Sequence, residues 1–260
     1  MRVSARRPSV AAMNDSHLLR VAGGAAVAGA TAQFLASLLE PDWGGEPGKA
    51  VRVVADNSFW NGDRLLDLIG VFLTVGALTV VGRTFAERSG CEWARVGQPF
   101  LVLMAALGAS AVATGATMKV LAQRWADAAP QLKQSYLAAF DAASRLTEVL
   151  FFAAFMALAL YLTALAVAIL AHRVYARWIG WTAAASAILV LTGDLLNISF
   201  DAAFLAVLAG YVLFIGVLVA LGVAMWRHAS RRTLEGSART REPQRVPQQA
   251  LGPHPQEVEL

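Results

Sequence analysis

Charge is scarce in this chain: Asp, Glu, Lys and Arg make up 15% of its 260 residues, while 57% are hydrophobic. A soluble domain carries roughly 25% charged residues, so an ordinary water-facing surface is excluded. Cysteine is nearly absent too. Cys91 stands alone, which rules out an intrachain disulfide and leaves the compartment unstated. The four histidines, His17, His172, His228 and His254, fall in tails or a loop, so no apolar run offers paired imidazoles for haem or zinc. HExxH, GxSxG and P-loop patterns are missing as well. No cofactor, metal site or catalytic residue is therefore expected. An enzyme working through carboxylates alone is the one intramembrane chemistry left open.

Long apolar runs are what the chain does have. Six of them, Leu18 to Leu39, Leu65 to Phe85, Phe100 to Leu121, Leu146 to Ala171, Ile179 to Ser199 and Ala203 to Met225, each reach the roughly 20 residues that a helix needs to cross about 30 Å of hydrocarbon. Inside lipid only a helix or a closed barrel satisfies its own backbone, and these runs lack the alternation of barrel strands. The predicted fold is all-α, a bundle of six transmembrane helices. Residues 1–17 form an N-terminal tail. Residues 227–260 read as a disordered basic tail, since the stretch from Thr233 holds Pro243, Pro247, Pro253 and Pro255 among Gln and Arg. A cleaved signal peptide is the rival reading of the first run, with Ala30, Thr31 and Ala32 as a small-residue site. The apolar continuation to Leu39 favours an anchor.

Basic residues set the orientation. With both termini in the cytoplasm, 15 of the 22 basic residues lie inside with 7 of the 18 acids, and the remaining 7 bases lie outside with 11 acids. That is the positive-inside bias. It predicts N-in and C-in threading in the plasma membrane, with the lipid bilayer as the main partner. The pI of about 9.6 then reflects attraction to anionic lipid headgroups at the cytoplasmic face. Nucleic acid is not an expected partner, because no aromatic-interleaved basic patch or zinc-finger spacing is present.

Two outer loops are long enough to carry structure. Glu40 to Arg64 is rich in Gly, Pro and Asp, and "QLKQSYLAAFDAASR" in the other has the spacing of a helix extending from the fourth span. Small residues recur every four positions in Ala22, Ala26 and Ala30, in Ala105, Ala109 and Ala113, and in Ala206 and Gly210. This spacing lets helix backbones approach. Packing within the bundle is the simpler use, and a homo-oligomer the sharper one.

The best functional lead lies in "ILVLTGDLLNISFD". At about 100° per residue, Asp194, Asn197 and Asp201 fall within about 60° of one another and form a polar stripe on an apolar rod. Asp67, Lys119, Arg145 and Glu148 reach a similar depth near the outer ends of their spans. A charge at the bilayer centre costs at least about 2.5–3.5 kcal/mol, so such groups face the bundle interior and pair. An outward-facing polar pocket of Asp67, Lys119, Glu148, Asp194 and Asn197 is expected. Lys119 pairing with Asp194 or Glu148, and Arg145 with Asp141 or Glu148, would make these groups structural. Ser110, Thr114 and Thr117 are expected to bond back to their own helix carbonyls or to a neighbouring helix. Three functions follow: a non-enzymatic membrane protein held by intramembrane ion pairs, a binder or transporter of a small solute or cation, and an intramembrane carboxylate enzyme. Inverted repeats, which many transporters carry, are not visible.

The turn "HRVYARWIGW" before the fifth span, with His172, Arg173, Arg177, Trp178, Gly180 and Trp181, resembles one found in a bacterial domain-of-unknown-function family of six-helix membrane proteins. There a proline commonly stands where this chain has Ala176. The likeness spans about Leu18 to Trp226 and implies fold and location, with no activity or catalytic residues attached.

Overall fold

The computed structural model describes residues 10–41, 46–89, 92–197 and 204–241. Seven helices fill these residues: α1 (Val10–Leu39), α2 (Pro47–Asp56), α3 (Trp60–Ser89), α4 (Glu92–Asp127), α5 (Pro130–His172), α6 (Arg177–Asn197) and α7 (Phe204–Arg241). All but α2 are long and apolar enough to cross a membrane. The six-span, all-α expectation therefore holds. The outside of the bundle agrees with a lipid surround, since Leu38, Ile188 and Leu205 are each more than 60% exposed, an arrangement that water would penalise.

Helices run past the predicted spans at both ends. At about 1.5 Å per residue, the 43 residues of α5 exceed what the hydrocarbon layer needs. Its N-terminal part is the helical extension foreseen from "QLKQSYLAAFDAASR". Two tail boundaries need correction. α1 begins at Val10, inside the expected 1–17 tail, and α7 continues to Arg241, so residues 227–241 are helical. The reason is local: Arg, Ala and Leu favour helix, and the first proline after Met225 is Pro243. Residues 242–260 lie outside the described residues.

The six spans form a closed ring in chain order. α1 packs on α3, α3 on α4, α4 on α5, α5 on α6 and α6 on α7, while α7 returns to α1. Consecutive spans tend to pack together, whereas the α7–α1 closure needs the backbones to meet. There a Cβ on Gly23 would lie 2.7 Å from the Gly222 carbonyl oxygen, and one on Gly222 would lie 2.8 Å from that of Gly23. Ala22, Ala26 and Ala30 are buried beside this crossing, so the first small-residue stripe serves packing within the bundle. Gly210 is also spent internally, its carbonyl accepting a 2.7 Å bond from Ser186 Oγ. In α4, Ala105 and Ala109 are half-buried and Ala113 exposed.

One end of the ring is packed solid by Leu78, Phe85, Leu162, Ile169, Leu221 and Met225 among others. The "HRVYARWIGW" turn seals it. Arg173 adopts a left-handed conformation (φ 52°) and donates its N–H to the Ile169 carbonyl, which ends α5 as an αL cap. Buried Tyr175 then meets Phe85 edge-on at 5.6 Å, with its hydroxyl 3.1 Å from Thr84 Oγ1. Across the opposite end, α2 buries Ala50, Val51 and Val54 against Trp60, Met118, Ala122 and Phe140. α2 begins at Pro47, where the fixed φ and missing N–H of proline suit a first turn.

The α1–α7 closure predicts a contrast between adjacent glycines. Gly23→Ala forces a methyl into the Gly222 backbone and should destabilise the detergent-purified protein by about 1–3 kcal/mol. Gly24 has open space around its Cβ direction, so Gly24→Ala should be neutral or stabilising by up to about 1 kcal/mol. Thermal unfolding of the two variants side by side measures this, and equal effects would contradict the crossing.

Candidate functional site

Within the ring, toward the α2 end, the side chains do not meet. They leave a cavity of about 580 Å³ to which all six spans contribute lining residues. Asp194, in the last turn of α6, is the central group. It is 4% exposed, and its Oδ2 has no hydrogen-bond partner among the described residues. Burying a carboxylate oxygen without a partner is costly, so its position requires a reason.

Four further carboxylates line the same space: Glu40 just after α1, Asp63 and Asp67 one turn apart on α3, and Glu148 on α5. Asp63 is 2% exposed, and its Oδ1 also lacks a partner among the described residues. Arg64 is the cation lining the cavity, and it is already engaged. Its guanidinium pairs with Glu40 and stacks 4.5 Å over the Trp60 ring. Trp60 is in turn held by a 2.8 Å bond from its indole Nε1 to the Gly115 carbonyl. Arg64 is thus oriented on both sides; its Nε has no partner among the described residues, and its charge acts on Asp63 and Asp67 as well as on Glu40, which leaves one cation among five carboxylates.

The remaining wall is aromatic and aliphatic. Phe151 and Phe155 stack at 6.4 Å, Phe155 meets Tyr211 edge-on at 6.1 Å, and Tyr211 lies 6.3 Å from Phe214. These rings from α5 and α7 line the cavity. A short polar relay crosses its floor. Gln33 Nε2 donates to Thr74 Oγ1 at 2.7 Å, and Tyr211 donates to Gln33 Oε1 at 3.4 Å. It ties α1, α3 and α7 together with polar groups that hydrocarbon would otherwise leave unsatisfied.

Of the five residues expected to form the pocket, the structure gathers Asp67, Glu148 and Asp194 around the cavity. Lys119 is a correction. Its Nζ donates to the carbonyls of Val54, Ala55 and Asn57 at 2.9, 2.8 and 2.8 Å, and so caps the C-terminus of α2. The cause is the set of orphan carbonyls and the negative dipole end that every helix C-terminus presents. Lys119 therefore forms no ion pair with Asp194 or Glu148. The side chain of Asn197, and Asp201, lie outside the described residues. Arg145 does pair with Asp141, at 3.1 Å on the surface of α5. Ser110, Thr114 and Thr117 donate to the carbonyls of Ala106, Ser110 and Ala113, as expected.

Sequence reasoning missed Gln33, Glu40, Asp63, Arg64 and Tyr211 as lining groups. A signal existed for two of them: Gln33 stands out as an amide in the first apolar run, and Tyr211 is the one tyrosine of the last. Chemically, the cavity offers carboxylates, aromatic faces and one occupied guanidinium. No His, Cys or Lys is among the described residues that line it, so Ser–His and Cys–His nucleophile pairs are not found there. What it does provide is attraction for positive charge.

These contacts decide how Lys119 and Asp194 depend on each other. Lys119→Met removes three charge-assisted bonds to α2 and should cost about 1.5–3 kcal/mol. Because Asp194 shares none of those partners, the coupling energy between Lys119→Met and Asp194→Asn should stay below about 0.5 kcal/mol. Unfolding of wild type, both single variants and the double variant in detergent checks this, and a coupling above about 1 kcal/mol would restore the direct ion pair.

Comparison of the chain with protein-family models, with curated proteins and with solved structures finds no match, so the functional reading rests on the side chains of the cavity themselves.

Proposed function

We propose that this multi-pass membrane protein binds a positively charged small solute in its central cavity, which opens to the outer face of the plasma membrane. The carrying observation is Asp194, a carboxylate at 4% exposure that lines a 580 Å³ cavity and keeps one buried oxygen without a partner among the described residues. Ion pairing with Lys119 would have made Asp194 structural. With Lys119 spent on α2, a cation from outside the chain is the natural complement of the five carboxylates. The low-dielectric walls strengthen that attraction relative to water. A bound cation retained in place makes the protein a receptor or binder, and one released on the other side makes it a transporter.

The outward direction rests on the charge distribution of the sequence. With N-in and C-in threading, α2 and the first turns of α5 stand outside, and the cavity lies at that end.

Two measurements test this reading. In intact cells, an impermeant amine reagent should label Lys49, which is exposed on α2, while external protease should leave the C-terminal tail intact; cleavage of the tail from outside would reverse the orientation. In detergent, the purified protein is heated with a panel running from sodium and magnesium through arginine and spermidine to tetraphenylphosphonium. At least one cation should raise the midpoint, following RT ln(1 + [L]/Kd), and Asp194→Asn should abolish the rise. Stabilisation by anions or neutral solutes alone would refute a cation site.

A further inference from the structure

We infer that the solute is an amphiphilic organic monocation, an ammonium or phosphonium carrying an aromatic or branched apolar body, seated with its charge toward Asp194 and its body on the rings of α5 and α7. The inference rests on the cation-site reading above and narrows it to a substrate class.

Size comes first. A cavity of about 580 Å³ falls in the roughly 300–1,000 Å³ range of sites for organic small molecules, and a bare ion would leave most of it unfilled. The donor set points the same way. Among the described residues, no group of three or more His, Cys, Asp or Glu is placed to hold a metal ion; Glu40, Asp63 and Asp67 gather around the Arg64 guanidinium instead, while Glu148 and Asp194 stand on other helices. Hard cations need six or more oxygen ligands gathered at short range. A delocalised or alkylated cation does not, because it is weakly hydrated and accepts diffuse negative charge.

The second wall supplies what an organic cation uses and an inorganic one does not. Phe151, Phe155, Tyr211 and Phe214 form a continuous run of rings on that side. Ring faces attract alkylated cations directly, as in the aromatic cages that hold quaternary ammonium groups. The Tyr211 hydroxyl is turned to Gln33, which fixes the ring from behind. A phospholipid would be repelled. Its phosphate would face five carboxylates and a single guanidinium already paired with Glu40.

Two probes of nearly identical shape and opposite charge decide the matter: tetraphenylphosphonium and tetraphenylborate, in radiolabelled form, with the full-length protein in a neutral detergent. Tetraphenylphosphonium should bind saturably at one site per chain, and tetraphenylborate should show only non-saturable partitioning. Asp194→Asn should weaken tetraphenylphosphonium binding at least about tenfold, as should Tyr211→Leu, whereas Tyr211→Phe, which keeps the ring, should bind within about threefold of wild type. Monodisperse elution and unchanged helical circular dichroism establish that each variant is folded. If Asp194→Asn fails to fold, Asp67→Asn and Glu148→Gln take its place with the same expectation. Asp194-dependent stabilisation by sodium or magnesium without tetraphenylphosphonium binding overturns this inference and leaves the cation site standing. Equal binding of the two tetraphenyl ions, or full tetraphenylphosphonium binding by the carboxylate variants, overturns both. One tightly retained phospholipid per chain that tetraphenylphosphonium does not displace overturns the inference in favour of a lipid site.

Discussion

The backbone contact of Gly23 with Gly222 is the constraint on which the rest of the structure depends. Five of the six packing interfaces join spans that are consecutive in the chain, four of them through short connections and α1–α3 across the segment that holds α2. The sixth, α7 against α1, joins the two ends of the bundle, and it exists because neither helix carries a side chain at the crossing. In lipid, helices gain no hydrophobic drive for association, and close approach of backbones supplies the attraction instead. Once the ring is closed, the space at its centre is walled by residues of all six spans, and polar groups that line it are screened by them from the hydrocarbon outside.

That enclosure explains a division of labour among the charged residues. The cations are spent on structure: Lys119 caps α2, Arg64 binds Glu40 and stacks on Trp60, and Arg145 pairs with Asp141. Among the described residues, Asp63 and Asp194 keep buried oxygens without partners, and Arg64 keeps an unpartnered Nε. A fold selected for stability alone would pair such groups or replace them with apolar residues, since an unpaired buried carboxylate oxygen lowers stability. Unsatisfied groups that persist around a cavity are the usual mark of a site whose complement is a ligand. α2 contributes indirectly. It covers Trp60, the residue that orients Arg64, and Lys119 holds it there, so the arrangement of charge in the cavity depends on a cap at the surface.

How far the site could be read from sequence differs from residue to residue. Asp194, Glu148 and Asp67 were legible because a carboxylate in an apolar run must face the interior, whatever the fold. Lys119 was legible as a buried charge but misassigned, for the same rule does not say which partner a long, flexible side chain will reach. Three backbone carbonyls at the end of α2 were as good as a carboxylate, and α2 came from a loop whose composition signalled only turns. Glu40 and Arg64 sit just outside the predicted spans, where charge is unremarkable, and nothing in the sequence says that they fold back over the cavity. The aromatic wall was invisible, because Phe151, Phe155 and Phe214 are what any apolar span contains.

By itself the sequence determined the class of the protein, the number of its apolar spans, their helical state and three of the carboxylates that line the cavity. These follow from local physics: hydropathy over about 20 residues, the need of a lipid-embedded backbone to bond itself, and the cost of burying charge. Only the tertiary structure decided that the spans close into a ring, that a cavity remains inside it, and that Lys119 turns to α2 instead of Asp194. Those outcomes depend on which helix faces meet between residues far apart in the chain, as Lys119 meets Val54 and Gly23 meets Gly222. Hydropathy and periodicity describe each helix alone, and they carry no term for the shape of its neighbour.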